Sequence, residues 1–354
     1  MKIIIISPSL DVSHVAGISS VTRFIINSNT ENKYVHFELG KSGDNRNLLW
    51  FFGILKAYLK WGYLLLTQKG ILIHFNTALQ IPSVFRDSPL ILIARLLNIR
   101  MIIHLHGGDY LMYKKMPIWM KWILKWSFSG HNPKIVLSPL ELEELKQRLS
   151  ISNLFILPNC PDLNDATNFN RTFKKQEILR LLYLGRITDE KGMEFIFNAL
   201  KLLNRNRVKF KFVMAGNGPQ EKLYVQKFSD LLGSDFDFKG VVSGDKKTEI
   251  LKNCDVFLLP SFFEGLPMAL LESMSFGLVP IVTDVGSIKH VITDGENGIF
   301  VNKYSSEDIV FAIEKLSMDK EYKHQLSRNA RRYIFENFSP KDYIDQLNKL
   351  YNYE

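Results

Sequence analysis

Two successive series of short apolar runs, each run followed by a helix-forming or turn-forming stretch, constrain this chain more than any other feature. The first series is KIIIIS (2–7), GILIHF (70–75), MIIHLHG (101–107) and KIVLSP (134–139). The second is RLLYLGR (180–186), KFKFVMAG (209–216), FDFKGVV (236–242), DVFLLP (255–260) and VPIVTD (279–284). Runs that are apolar on both faces are what strands of a buried parallel sheet require, because helical crossovers cover both sides of such a sheet. Two series imply two doubly wound α/β domains, whose ligands bind at the carboxyl ends of the strands. A length of 354 residues also exceeds what one ordinary core fills.

Charge marks where the two domains meet. Residues 1–160 carry 18 Lys and Arg against 9 Asp and Glu, whereas the rest carries 27 of each, so the whole net charge of +9 lies in the first part. The segment PNCPDLNDATNFNRTFKKQ that follows is polar and rich in Pro and Asn, as a linker is. The expected domains are therefore 1–165 and 170–337, with a terminal helix over 338–354 free to pack back onto the first. Cys160 and Cys254, the only two cysteines, are far apart in sequence, which argues for a reducing compartment. MKIIIISPS reads as a first strand and not as a signal peptide, so the expected location is the cytoplasm.

A basic first part can meet an anionic membrane, nucleic acid or an anionic small molecule. In YLMYKKMPIWMKWILKWSF (110–128), Lys114, Lys115, Lys121 and Lys125 are mixed with Trp119, Trp122 and Trp126. That mixture suits the headgroup layer of an anionic membrane. The run LLWFFGILKAYLKWGYLLL (48–66) is apolar, but Lys56 and Lys60 near its middle argue against a spanning helix. Both segments equally admit packing against a sheet with the lysines reaching solvent, and the alternatives stay open here. No nucleic-acid motif accompanies the charge, so nucleic acid is not an expected partner.

Three motifs fall at strand ends in the second part. YLGRITDEKG (183–192) carries Arg186 and Lys191, suitable charges for a diphosphate. VMAGNGPQEKL (213–223) turns at Gly216, Asn217 and Gly218, allowing close backbone approach. FEGLPMALLE (263–272) spaces Glu264 and Glu272 around a loop that opens a helix, with Pro267 expected at its first position and Gly277 at its end. Each motif alone also fits a solvated loop or a capped helix.

Together, RITDEKG, AGNGP and E-x7-E resemble the donor-site signature of glycosyltransferase family 4, retaining enzymes of the GT-B fold with two Rossmann-like domains facing across a cleft. The resemblance implies that Arg186 and Lys191 bind the donor diphosphate, that Glu264 lies beside the transferred sugar and that Glu272 binds the ribose. It also implies that Gly265, Leu266, Pro267 and Met268 present backbone to the phosphates. HLHGGD (104–109) resembles the family's histidine loop, with His106 at the matching position, while HVAGISSVTRF (14–24) stands where a glycine-rich loop belongs, with Ala16 replacing one glycine and Gly17 remaining. LPNCPD (157–162) resembles a Pro-Asn-Gly turn carrying Asn159, with Cys160 in the glycine position. His104, His106 and Asp109 as a metal site is the competing reading, and packing is preferred for His104. The Asp235-Phe-Asp237 pattern is read as two solvent-facing strand residues, and no metal or other cofactor is expected.

The implied activity is retaining transfer of a sugar from a nucleotide-sugar donor to a glycan or lipid-linked glycan acceptor, in surface polysaccharide synthesis. A sugar-nucleotide epimerase of the same fold and a non-catalytic nucleotide-sugar-binding scaffold are the alternatives.

Overall fold

A computed structural model describes residues 1–11, 17–40, 48–172 and 178–353. The chain divides into two units, Met1–Asn159 with Lys341–Glu354, and Cys160–Pro340.

In the first unit the elements run β1 (Lys2–Ser7), α1 (Gly17–Ser28), β2 (Lys33–Glu38), α2 (Leu48–Thr67), β3 (Ile71–Thr77), α3 (Ile81–Leu96), β4 (Met101–Leu105), α4 (Asp109–Met112), α5 (Ile118–Phe128), β5 (Lys134–Val136), α6 (Pro139–Leu149) and β6 (Leu154–Ile156). The six strands are parallel in the order β2-β1-β3-β4-β5-β6. The order reverses direction between β1 and β3, which makes that junction the switch point of the sheet. Ile3 to Ile6 of β1 are all at most 1% exposed, as a central strand covered on both faces requires. Neither β2 nor β6 stands out in the sequence. Both are sheet edges, and KYVHFE carries Lys33, His36 and Glu38, the polar residues that blunt an edge.

The second unit holds α7 (Asn164–Thr167), β7 (Leu179–Leu184), α8 (Met193–Arg205), β8 (Phe210–Ala215), α9 (Glu221–Leu232), β9 (Phe236–Gly240), α10 (Gly244–Asn253), β10 (Val256–Leu259), α11 (Met268–Ser275), β11 (Val279–Thr283), β12 (Ile299–Val301), α12 (Ser306–Met318) and α13 (Lys320–Asn337). Its strands are parallel in the order β12-β11-β10-β7-β8-β9, with the switch point between β7 and β10. The polar stretch read as a linker contains α7, so part of it is ordered helix. Asp235 ends a 3-10 turn, Gly233–Asp235, and not a strand; it is exposed, as is Asp237 on β9.

The terminal helix α14 (Pro340–Tyr351) is held in the first unit by its Tyr351 end. Tyr351 is fully buried, and its hydroxyl is hydrogen-bonded to His74 Nδ1 at 2.7 Å. Asn29 Nδ2 donates to Asn348 Oδ1 at 2.7 Å, adding a second tie.

Two segments left open by the sequence resolve differently along their own lengths. In α2, Trp61 is fully buried against Phe37 and Phe75, and its Nε1 donates to the Leu90 carbonyl at 3.1 Å. On α5, Met120 and Leu124 are buried, whereas Trp122 is 74% and Trp126 58% exposed, so core packing does not account for those two rings. No helix among the described residues is long and apolar enough to cross a membrane.

Candidate functional site

The β7/β10 junction is the switch point of the second sheet, and at the carboxyl ends of such strands open α/β sheets bind their ligands. The β7 loop passes Gly185 and Arg186, forms a 3-10 turn over Asp189–Lys191, and enters α8 at Gly192. The β10 loop runs from Pro260 to Pro267, which caps α11 in an extended conformation and so lies one position before the first helical residue expected for it. The Phe262 amide donates to the Glu190 carbonyl at 2.8 Å, tying the two loops through backbone. Side chains repeat the tie. Lys191 Nζ donates to Glu264 Oε1 at 2.5 Å, and Ser261 Oγ donates to the same oxygen at 2.7 Å. Glu264 is only 8% exposed, and a cation and a hydroxyl compensate the burial of its carboxylate.

The β8 loop closes against the same backbone. Gly216 has φ +130°, and a Cβ there would collide with the Gly185 carbonyl oxygen, so no other residue fits without moving the β7 loop. The Ile187 amide donates to the Asn217 carbonyl at 2.8 Å, locking the arrangement. Arg186 lies exposed on the β7 loop, and its carbonyl accepts from the Tyr183 hydroxyl at 2.5 Å.

Glu272 lies in α11, and Lys247 Nζ from α10 donates to its Oε1 at 2.7 Å. The sequence does not mark Lys247 as a site residue. Nothing in SGDKKTEI distinguishes it from Lys246, and only the packing of α10 beside α11 selects it. Between the two acids, Leu266 and Met268 are 5% and 7% exposed and anchor the loop, while the Gly265 carbonyl accepts from the Ser287 amide at 3.2 Å. The helix begins at Met268, so its first-turn amides and positive dipole end face back along this loop, a setting that favours anions. Gly277, with φ +75°, follows the end of the helix.

The remaining sequence-derived residues lie in the first unit. His106 follows β4, half-buried, and its backbone amide donates to the Thr77 carbonyl at 2.8 Å. Asn76 Nδ2 donates to the Ile6 carbonyl at 2.9 Å, which aims Asn76 Oδ1 at His106 Nε2, 2.8 Å away. An amide oxygen only accepts, so His106 carries its proton on Nε2 and leaves Nδ1 as an acceptor. Burial pushes the imidazole down to about 3, so it is neutral at pH 7. Asn76 is a polar strand residue whose role only the structure reveals.

His104 is fully buried and stacks between His74 and His106 at ring-centroid distances of 5.4 and 4.1 Å. Asp109 pairs with Lys114 at 2.7 Å. No group of three His, Cys, Asp or Glu side chains placed to hold a metal ion occurs among the described residues. Gly17 opens α1 with open space where a Cβ would stand, so packing in this structure does not demand glycine there, and His14 to Ala16 fall outside the described residues. Asn159 is buried at the end of the first unit, and neither it nor Cys160 needs a positive φ, so cysteine replaces glycine without backbone strain.

Residues 164–333 match the family described as glycosyl transferases group 1. An uncharacterized glycosyltransferase of Methanocaldococcus jannaschii is 30% identical over 179 residues, which is 49% of this chain and 45% of that protein's length. The UDP-Gal:alpha-D-GlcNAc-diphosphoundecaprenol alpha-1,3-galactosyltransferase of Escherichia coli is 25% identical over 285 residues, 73% of this chain and 70% of its own. The structure of Anabaena HepE in complex with UDP-glucose aligns with a TM-score of 0.74 and 14% identity over 99% of both chains, a likeness of fold. Residues 164–333 thus resemble the glycosyl transferases group 1, and the two doubly wound parallel sheets are those of the GT-B fold.

Proposed function

We propose that the protein transfers a sugar, with retention of anomeric configuration and without a metal, from a nucleotide-sugar donor to a hydroxyl of a glycan or lipid-linked glycan, in surface polysaccharide synthesis. The observation that carries this reading is the Lys191–Glu264 pair at the switch point of the second sheet. A diphosphate binding there offers Lys191 a stronger anion than Glu264, and Arg186 on the same loop adds a second cation. Glu264, released from the lysine, then accepts hydrogen bonds from the hydroxyls of the sugar to be moved. Glu272 accepts from the ribose hydroxyls while Lys247 holds its carboxylate in place. Neutral His106 offers Nδ1 as a further acceptor.

In the transfer, the bond from C1 to the diphosphate oxygen breaks as the acceptor oxygen bonds to C1 on the same face. The acceptor proton passes to the departing phosphate oxygen. Charge develops on the diphosphate, where Lys191, Arg186 and the start of α11 stabilise it, which is the work a metal performs in other enzymes. A relative whose name specifies a diphosphoundecaprenol-linked substrate supports a lipid-linked acceptor, and the basic, tryptophan-bearing α5 supports peripheral contact with an anionic membrane surface.

Incubating the protein with UDP-, GDP- and ADP-sugars and a panel of glycan and undecaprenyl-diphosphate-linked acceptors tests the reading. One donor is consumed only when acceptor is present, and NMR of the product shows the donor's anomeric configuration. Isomerisation of the donor without transfer, or an inverted product, contradicts it.

A further inference from the structure

Helix α2 has two apolar faces, and only one of them is packed. Trp61 and Leu65 are 0% and 5% exposed and join the core of the first unit. Leu55, Leu59, Tyr63 and Leu66 are 49%, 70%, 72% and 73% exposed. Their spacing of four, four and three residues places them on one stripe, and Trp61 lies two residues beyond Leu59, on the opposite side. Lys56 and Lys60 are exposed one position after Leu55 and Leu59, so a row of positive charge flanks the stripe. Neither α2 nor α5 contains an acidic residue.

This stripe is linked to the rings of α5. Helix α3 packs on both α2 and α5. The Tyr58 hydroxyl of α2 donates to the Arg86 carbonyl at 2.9 Å, and the neighbouring Phe85 ring stacks on Trp119 with centroids 4.8 Å apart. Beyond that stack, Trp122 and Trp126 are exposed beside Lys121 and Lys125. Lys114 is spent on Asp109, so the lysines of α2 replace it as membrane-facing charge.

We infer that the outer stripe of α2, together with Trp122 and Trp126 of α5, inserts into the headgroup layer of an anionic lipid bilayer, with Lys56, Lys60, Lys121 and Lys125 on the lipid phosphates. The inference rests on the membrane contact proposed above and adds its main apolar anchor. Lysine is depleted in the cores of protein–protein interfaces but favoured beside apolar residues at membrane surfaces, so lipid fits this face better than a second copy of the chain. The helix lies along the surface and does not cross it, because Lys56 and Lys60 sit near its middle.

The test is sedimentation of the full chain with phosphatidylglycerol–phosphatidylcholine vesicles. Wild type binds at low salt, binds phosphatidylcholine alone weakly, and is partly released by high salt. A variant combining Leu59→Ser, Tyr63→Ser and Leu66→Ser needs at least tenfold more anionic lipid for half binding, with an unchanged melting curve. Tyr63→Cys labelled with an environment-sensitive dye, selective because Cys160 and Cys254 are buried, shifts its emission to the blue on adding anionic vesicles. Wild-type binding that the triple variant and the dye do not register overturns the α2 anchor while leaving the membrane contact standing. No wild-type binding overturns both. A lipid-free dimer that the triple variant dissociates assigns the stripe to a second copy and overturns the inference. Nucleotide affinity is unaffected in every arm if the donor reading is sound.

Discussion

Glu264 and Glu272 lie on one loop-helix segment, yet lysines from different elements hold them, so their losses have different consequences. Glu272→Gln should weaken free nucleoside diphosphate and donor alike, by tenfold or more, the scale of a charge-assisted hydrogen bond of about 1.5–3 kcal/mol. Glu264→Gln removes the anion that competes for Lys191. It should leave nucleoside diphosphate affinity unchanged or improved and lower turnover by about 10²-fold, the scale of one preorganised electrostatic group. Calorimetry and steady-state kinetics on the two variants separate these outcomes, and equal loss of nucleotide affinity contradicts the division. Asn76 acts on His106 in the same residue-by-residue way. Nitrogen-detected NMR of wild type should show a neutral His106 protonated on Nε2 at pH 7. Asn76→Ala should mix the tautomers and cost about 2 kcal/mol of stability, two neutral hydrogen bonds at about 1 kcal/mol each. Glu264, Glu272, Arg186 and Lys191 were legible because short spacings encode them. Asn76 and Lys247 were not, because their partners, His106 and Glu272, lie 30 and 25 residues away and only folding pairs them.

Strands covered on both faces announce themselves as unbroken apolar runs, which is why β1, β3, β4, β5, β7, β8, β10 and β11 could be read directly, and the edge strand β9 was legible through its polar–apolar alternation. The edges β2, β6 and β12 could not, because an edge strand is short or carries charge. Helix α2 defeats sequence reading for another reason, since an apolar residue does not say which side of the helix it occupies. Trp61→Ala should cost about 3–5 kcal/mol, the range for a buried aromatic. Trp122→Ala on α5 should change stability by less than about 0.5 kcal/mol, as exposed substitutions do. Equilibrium urea unfolding of both variants checks the pair. Gly216→Ala tests the contact between the β7 and β8 loops. It should lower stability by about 1–3 kcal/mol through strain at a positive φ, and weaken nucleotide binding by displacing Gly185 and Arg186. An alanine variant as stable as wild type would show that the turn is not constrained.

On the scale of the whole molecule, stability should depend on pH through its buried histidines, among them His74 and His104, which the proposed reaction does not use. His74 and His104 are fully buried, and burial holds His74 down to about 3 and His104 well below its usual range. Unfolded, both titrate near 6.5, so below that pH the unfolded chain binds more protons and the folded state loses stability as pH falls toward about 3. The two together contribute a slope of up to about 2.7 kcal/mol per pH unit in that window. Urea unfolding at pH 7.5 and 5.5 should show the loss, and His104→Gln should remove about half of this contribution; an unchanged slope in that variant would remove His104 from the account. The fold class was legible from the pattern of the whole chain, and the family resemblance from three short motifs, but the buried histidine cluster was not, since it assembles from β3, β4 and the far terminal helix. The central claim is that the β7/β10 switch point holds the diphosphate of a nucleotide sugar. Calorimetric titration of wild type and Lys191→Ala with UDP-, GDP- and ADP-sugars tests it most directly. The account predicts saturable binding of one of the three to wild type and at least tenfold weaker binding to Lys191→Ala; equal affinity in the two proteins, or no binding of any donor to wild type, would contradict it.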